Sequence, residues 1–191
     1  MSESTPNPPA DPNQPVSEKL AHQPVGARVP DRIAAGVYST GQVVLDSPKE
    51  FVIDFLQGLT RPFRVNARVV VAPITMAELI SALKDNIEKY TTAFGPPPAL
   101  PPRPPNERRL SIGEIYENFK IPDDMLAGCY ANSVLIGHSP SEFFFDFITG
   151  FFPTAAVSAR VFIAAPIIPR FLGTLEGAYL QYMSRVKPPN T

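Results

Sequence analysis

Residues 31–90 can be laid on residues 123–182 at a constant offset of 92 without a gap, and 18 of the 60 positions are identical. A duplication on this scale restricts the chain to folds that accommodate two like units, and it shows which positions one unit has retained. The clearest lines are Tyr38-Ser-Thr-Gly-Gln-Val-Val-Leu-Asp-Ser-Pro-Lys-Glu-Phe-Val-Ile-Asp-Phe55 and Tyr130-Ala-Asn-Ser-Val-Leu-Ile-Gly-His-Ser-Pro-Ser-Glu-Phe-Phe-Phe-Asp-Phe147.

Each copy follows one pattern. A lead-in ends in Ala35-Gly36 or Ala127-Gly128, and a first strand is expected from Val37 to Leu45, or from Cys129 to Gly137. Ser47-Pro48 and Ser139-Pro140 mark a turn. In the second strand Phe51, Ile53 and Phe55 alternate with Glu50, Val52 and Asp54. Phe143, Phe145 and Phe147 alternate in the same way with Glu142, Phe144 and Asp146, which predicts one core face and one carboxylate-bearing face. A third strand is expected over Arg64 to Ala72 and over Ala156 to Ala164. A helix then closes each copy, with Met76, Leu79, Ile80, Leu83, Ile87 and Tyr90 at three- and four-residue spacing. Leu172, Leu175, Tyr179 and Met183 repeat that spacing, with Pro169 suited to a first helical turn. Gly173 and Gly177 weaken this second helix by about 1 kcal/mol each relative to alanine.

The predicted fold class is α+β: two tandem β-β-β-α repeats with antiparallel sheet and one amphipathic helix each, forming a pseudo-dimer. A unit of about 60 residues is marginal alone, which favours two copies sharing one core. Repeat 1 is assigned to residues 31–94 and repeat 2 to residues 121–186. Proline sharpens the division. Of 24 prolines, seven precede Asp31 and seven lie between Pro96 and Pro105. Residues 1–28, polar and without apolar periodicity, read as a disordered Pro-rich arm. Residues 95–109 read as a polyproline II linker, and residues 187–191 as a tail. Ser111-Ile-Gly-Glu114 has the form of a capping box opening a short helix over residues 110–120, with Ile112, Ile115, Tyr116 and Phe119 on its apolar side.

The formal net charge of −1 supplies no basic field for nucleic acid. No apolar run approaches the ~20 residues of a membrane-spanning helix. The N-terminus lacks the basic start and apolar stretch of a secretory signal, and a cytoplasmic location is expected. Cys129 is the single cysteine, so no intramolecular disulfide forms, and its counterpart Val37 points to a small apolar role.

Glu50 with Asp54 and Glu142 with Asp146 are the acidic pairs common to both copies. Four residues along a strand separate them by about 13 Å, too far for a glycosidase pair at roughly 5–9.5 Å. A hairpin between strands two and three places Asp54 opposite Arg68 and Asp146 opposite Arg160, which predicts structural ion pairs. His138, whose counterpart is Asp46, belongs to no recognisable triad, and one histidine with one cysteine in the repeats excludes the usual four-ligand zinc site within a chain. No phosphate-cradling loop or other catalytic signature is evident. Catalytic, cofactor and metal sites are therefore all expected to be none.

Phe144, Phe151 and Phe152 fall outside the core alternation and form the candidate interaction surface, for the other repeat, an oligomer partner or a second protein. Leu100-Pro-Pro-Arg-Pro-Pro105 matches a PxxP ligand, a pattern that arises readily in a proline-rich spacer.

Gly128-Cys-Tyr-Ala-Asn132, His138-Ser-Pro-Ser-Glu-Phe143 and Asp146-Phe147, with Arg160 and a helix ending in tyrosine, resemble domain-of-unknown-function family 3467. The first copy resembles it through Ser47-Pro48, Glu50-Phe51, Asp54-Phe55, Arg68 and the helix to Tyr90. It departs at Ser39-Thr40-Gly41, where the family pattern has Ala-Asn after the tyrosine. The resemblance implies a compact domain and carries no activity or catalytic residues.

The expected function is a non-catalytic protein-interaction or assembly module with a protein partner or self-association, without nucleic acid, membrane or cofactor. One alternative is a chaperone-like, peptide-binding protein with a SecB-like layout, an analogy of topology alone. The other is a small-ligand-binding protein or enzyme with a site between the repeats lined by Arg68, Arg160 or His138.

Overall fold

The computed structural model describes residues 26–102, 108, 110–151 and 154–186. Most of the N-terminal arm, the middle of the proline linker with the second half of its PxxP segment, the tail and Phe152 lie outside the described residues.

The architecture is α+β, with two four-stranded sheets and helices. After a single helical turn, α1 (Asp31–Ala34), the first copy runs through β1 (Val37–Ser39), β2 (Gly41–Asp46), β3 (Phe51–Gln57), β4 (Arg64–Val71) and α2 (Pro73–Phe94). A short helix α3 (Ile112–Asn118) follows, opened by the expected capping box. The Ser111 hydroxyl accepts from the Glu114 amide, and the Glu114 carboxylate accepts from the Ser111 amide. A 3-10 turn (Asp123–Met125) then leads into β5 (Cys129–Ala131), β6 (Ser133–His138), β7 (Glu142–Thr149), β8 (Ala156–Ala164) and α4 (Ile168–Val186).

The expected first strand of each copy is in fact two strands, which corrects the three-strand reading. The chain crosses at Thr40 and at Asn132 from one sheet to the other. β1 pairs in parallel with β8, Tyr38 opposite Phe162, while β2 pairs antiparallel with β3. In the second copy β5 pairs in parallel with β4, Tyr130 opposite Val70, while β6 pairs with β7. The sheet orders are therefore β1-β8-β7-β6 (sheet A) and β2-β3-β4-β5 (sheet B), each holding one strand from the other copy.

A polar side chain fixes each crossing. Thr40 Oγ1 accepts from the Gly58 amide at 2.9 Å. Asn132, at the equivalent position, accepts from the Gly150 amide at 2.7 Å and donates to the Gly150 carbonyl at 3.2 Å. Threonine thus supplies in the first copy one of the two bonds that asparagine makes in the second.

The apolar faces of both sheets and the stripes of α2 and α4 fill one core. Phe55 meets Phe147 and Phe171, and Phe51 meets Tyr179 and Tyr182, so the helix of the second copy closes over strands of the first. The reciprocal contact brings Tyr90 of α2 against Phe143 and His138, with its hydroxyl donating to the Pro140 carbonyl at 2.8 Å. The three fully buried phenylalanines on β7 each contribute about 1.5–3 kcal/mol to that core.

Candidate functional site

Where the two exchanged strands cross, a cavity of about 430 Å³ opens between the copies. Its walls are equivalent residues facing each other: Gly36 and Gly128, Asn66 and Ser158, Arg68 and Arg160. The charges at its exposed rim break that equivalence, because Arg32 stands where the second copy has Asp124.

The two arginines are anchored alike. Asp54 lies directly opposite Arg68 in the β3–β4 ladder, and its carboxylate accepts from Nε and from one terminal nitrogen at 2.7 Å each. Arg160 donates to Asp146 through the same two nitrogens, again at 2.7 Å. The remaining terminal nitrogen crosses to the other copy. Arg68 donates to the Leu126 carbonyl at 3.0 Å, and Arg160 to the Ala34 carbonyl at 3.2 Å. Both guanidinium pKa values are raised further, chiefly by the hydrogen bonds to the aspartates. Bidentate geometry of this kind holds a planar guanidinium in one orientation.

The glycines make this approach possible. Gly36 and Gly128 have φ of +65° and +68°, in the left-handed region. A Cβ on Gly36 would come within 2.9 Å of the Arg160 side chain and 2.5 Å of Phe162, and one on Gly128 within 2.7 Å of Arg68. The Ala-Gly lead-in common to both copies is thus the seat on which the other copy's arginine rests. Reading along one copy does not reveal that role, though retention of the dipeptide in both was its signal.

The two aspartates differ in their outer partners. Tyr116 of α3 donates its hydroxyl to Asp54, which is completely buried. Burial, then that hydrogen bond, raises the Tyr116 phenol well above its ordinary pKa. The sequence placed Tyr116 only on the apolar side of α3, and its hydroxyl was the missed feature. Asp146 accepts only from Arg160 among the described residues.

Cys129 lines the cavity and donates weakly to the Arg68 carbonyl at 3.4 Å. Burial raises its thiol pKa, which opposes thiolate formation. His138 lies elsewhere, in the aromatic cluster of Tyr90, Phe94 and Phe143. Among the described residues no group of three His, Cys, Asp or Glu side chains is placed to hold a metal ion, and no helix is long and apolar enough to cross a membrane. The arrangement offers anchored N–H donors around a space of mixed polar and apolar lining, without an activated nucleophile beside a base among the described residues.

The candidate surface phenylalanines are placed differently from one another. Phe144 is half-buried, tilted against Phe162 with its ring over Gly137. Phe151 is 60 % exposed and stacks on the exposed Tyr130 at 5.9 Å.

The outer faces of the two sheets also differ. On sheet B, Val43, Leu56 and Val65 are buried beneath Ile115, Tyr116, Phe119 and Ile121. Their equivalents on sheet A are Leu135, Ile148 and Val157: Leu135 is 52 % exposed where Val43 is 5 %, whereas Val157 is buried as Val65 is.

The family model described as "Protein of unknown function (DUF3467)" matches residues 3–97 and again residues 103–186. No curated protein and no solved structure matches the chain.

Proposed function

The chain belongs to the DUF3467 family, in two tandem copies, and from that premise we propose that it is a non-catalytic protein-interaction module. The two repeats act as a pseudo-dimer within one chain. One observation carries the reading: equivalent outer faces have diverged, that of sheet B covered by α3 and that of sheet A left with Leu135 exposed. Duplication retained the aspartate–arginine latch in both copies, whereas among the described residues Leu135 lacks the cover that α3 gives Val43. An exposed apolar position of this kind on a sheet face is a surface for a partner.

The test is affinity purification of the tagged chain from its native host, read by mass spectrometry, beside Leu135→Lys and Phe151→Ser variants. The proposal expects a stoichiometric partner that the Leu135→Lys variant loses. Many substoichiometric unfolded clients would instead favour the chaperone-like, peptide-binding alternative. A partner retained by both variants would overturn this surface as the site.

The cavity between the copies favours a second reading, a small-ligand site using Arg68 and Arg160. A ligand there would be small and anionic, meeting N–H groups already oriented by Asp54 and Asp146. Thermal stabilisation in a metabolite screen, abolished by Arg160→Met, would support it.

A further inference from the structure

We infer that the cavity between the copies binds a zwitterionic amino acid with an apolar side chain, its carboxylate on the arginines and its ammonium at Asp124. The inference rests on the small-ligand reading above. Beside the anionic group which that reading requires, it adds a cationic group and an apolar one.

The cavity is set apart from the points where the chain enters each copy. Arg28 is bridged to Ala156 at the start of β8, about 13 Å along that strand from Arg160. Lys120 is bridged likewise to Arg64, four positions before Arg68. None of Arg28, Ala156, Lys120 and Arg64 lines the cavity.

Three features of the walls select the ligand. The first is a set of fixed donors. Among the described residues each guanidinium uses three N–H groups, two on its aspartate and one on the other copy's carbonyl. A guanidinium carries five. Arg68 and Arg160 both line the cavity, with 15 % and 23 % of the side chain exposed. Oriented N–H groups of this kind suit a carboxylate.

The second feature is the balance of charge. Asp54 matches Arg68, Asp146 matches Arg160, and the rim residues Arg32 and Asp124 are of opposite sign. A carboxylate entering alone leaves the site negative, and an ammonium on the same molecule restores the balance. Arg32 acts across the copies, since its charge opposes the rise of the Cys129 thiol pKa. Asp124, at the equivalent position of the second copy, is the acceptor for the ammonium. Only one of the two equivalent positions is acidic, so the ligand has one orientation where the matched walls alone would permit two.

The third feature is apolar wall. Ile33 with Met125, and Val37 with Cys129, supply it from equivalent positions of the two copies. The volume of about 430 Å³ lies within the ~300–1,000 Å³ of small-ligand pockets and holds a side chain of leucine size.

The test is calorimetric titration of the full chain with three compounds, with ¹⁵N amide shifts to locate the site. L-leucine carries both charges, N-acetyl-L-leucine lacks the ammonium, and L-leucinamide lacks the carboxylate. Leucine should bind tightest and shift the Gly36 and Gly128 amides. N-acetyl-leucine should bind roughly 2- to 5-fold more weakly, and leucinamide roughly 10-fold or more. Asp124 is exposed, so Asp124→Asn keeps the fold; it should weaken leucine roughly 2- to 5-fold and leave N-acetyl-leucine unchanged. N-acetyl-leucine binding as tightly as leucine, or leucine binding unchanged in Asp124→Asn, would overturn the zwitterion and leave the anionic-ligand reading standing. Leucine shifts that miss Gly36 and Gly128 would overturn the site. If none of the three binds while another metabolite stabilises the chain through Arg160, the amino-acid chemistry is wrong and the small-ligand reading stands. If nothing does, both are wrong.

Discussion

Arg160 on β8 donates to the backbone carbonyl of Ala34, 126 residues earlier in the chain, while its other nitrogens are held by Asp146. Arg68 repeats this bond with Leu126. Two ion pairs that stabilise hairpins within each copy thereby also fasten each copy to the other's lead-in.

Removing one partner of such a latch leaves a buried charge without compensation. Arg68→Met strands Asp54, which is completely buried, and should cost about 3–5 kcal/mol. Arg160→Met should cost less, about 1.5–3 kcal/mol, because its side chain is 23 % exposed and, among the described residues, no tyrosine donates to the aspartate. The double variant Asp54→Leu, Arg68→Met should lose less than the sum of its two single variants. Urea unfolding of the native chain and the four variants checks all three expectations.

The glycines divide into two groups. Gly36→Ala and Gly128→Ala force an L side chain into positive φ against an arginine, and each should destabilise by more than about 1–2 kcal/mol. Gly173→Ala and Gly177→Ala lie in α4 with nothing within 4 Å of the added carbon, and each should stabilise by up to about 1 kcal/mol. Thermal melts of the four single variants read the contrast directly.

These contrasts also show how much was legible in the sequence. Alternation along Phe51–Phe55 fixed the core face, and the repeat placed Asp54 against Arg68, because hairpin register is a local property. The capping box at Ser111 was equally local. The break at Thr40 was not legible: no proline interrupts Val37 to Leu45, and the exchange is decided by pairing with Val161 and its neighbours far along the chain. Tyr116 was read by its ring alone, since its acceptor lies 62 residues away. Phe144 falls outside the core alternation, and the room that Gly137 leaves for its ring depends on the neighbouring strand.

Tyr116 gives the fold a particular dependence on pH. Its phenol is raised in the folded chain, whereas an unfolded tyrosine titrates near about 10. The unfolded state therefore loses this proton first. The stability it contributes is complete below pH ~10 and is lost as pH rises from there towards the folded value. Urea midpoints measured between pH 8 and 11 should fall more steeply for the native chain than for Tyr116→Phe. Parallel slopes would contradict the buried hydrogen bond.

The unequal outer faces predict unequal tolerance of charge. Val43→Lys buries an ammonium beneath α3 and should destabilise by several kcal/mol, on the order of 3. Leu135→Lys, at the equivalent exposed position, should stay within about 0.5 kcal/mol of the native chain. Chemical denaturation of the pair tests the asymmetry on which the interaction surface depends.

The central structural claim is that two copies share one interlocked core, and native-state amide hydrogen exchange tests it most directly. Tyr38 in β1 and Tyr130 in β5 are joined to the opposite copy's strands. Their amides should therefore open only with global unfolding, at the same free energy as core positions such as Ile53 on β3 and Phe145 on β7. Exchange from β1 and β5 at a clearly lower free energy, with β3 and β7 still protected, would show that the copies fold separately and would contradict the account.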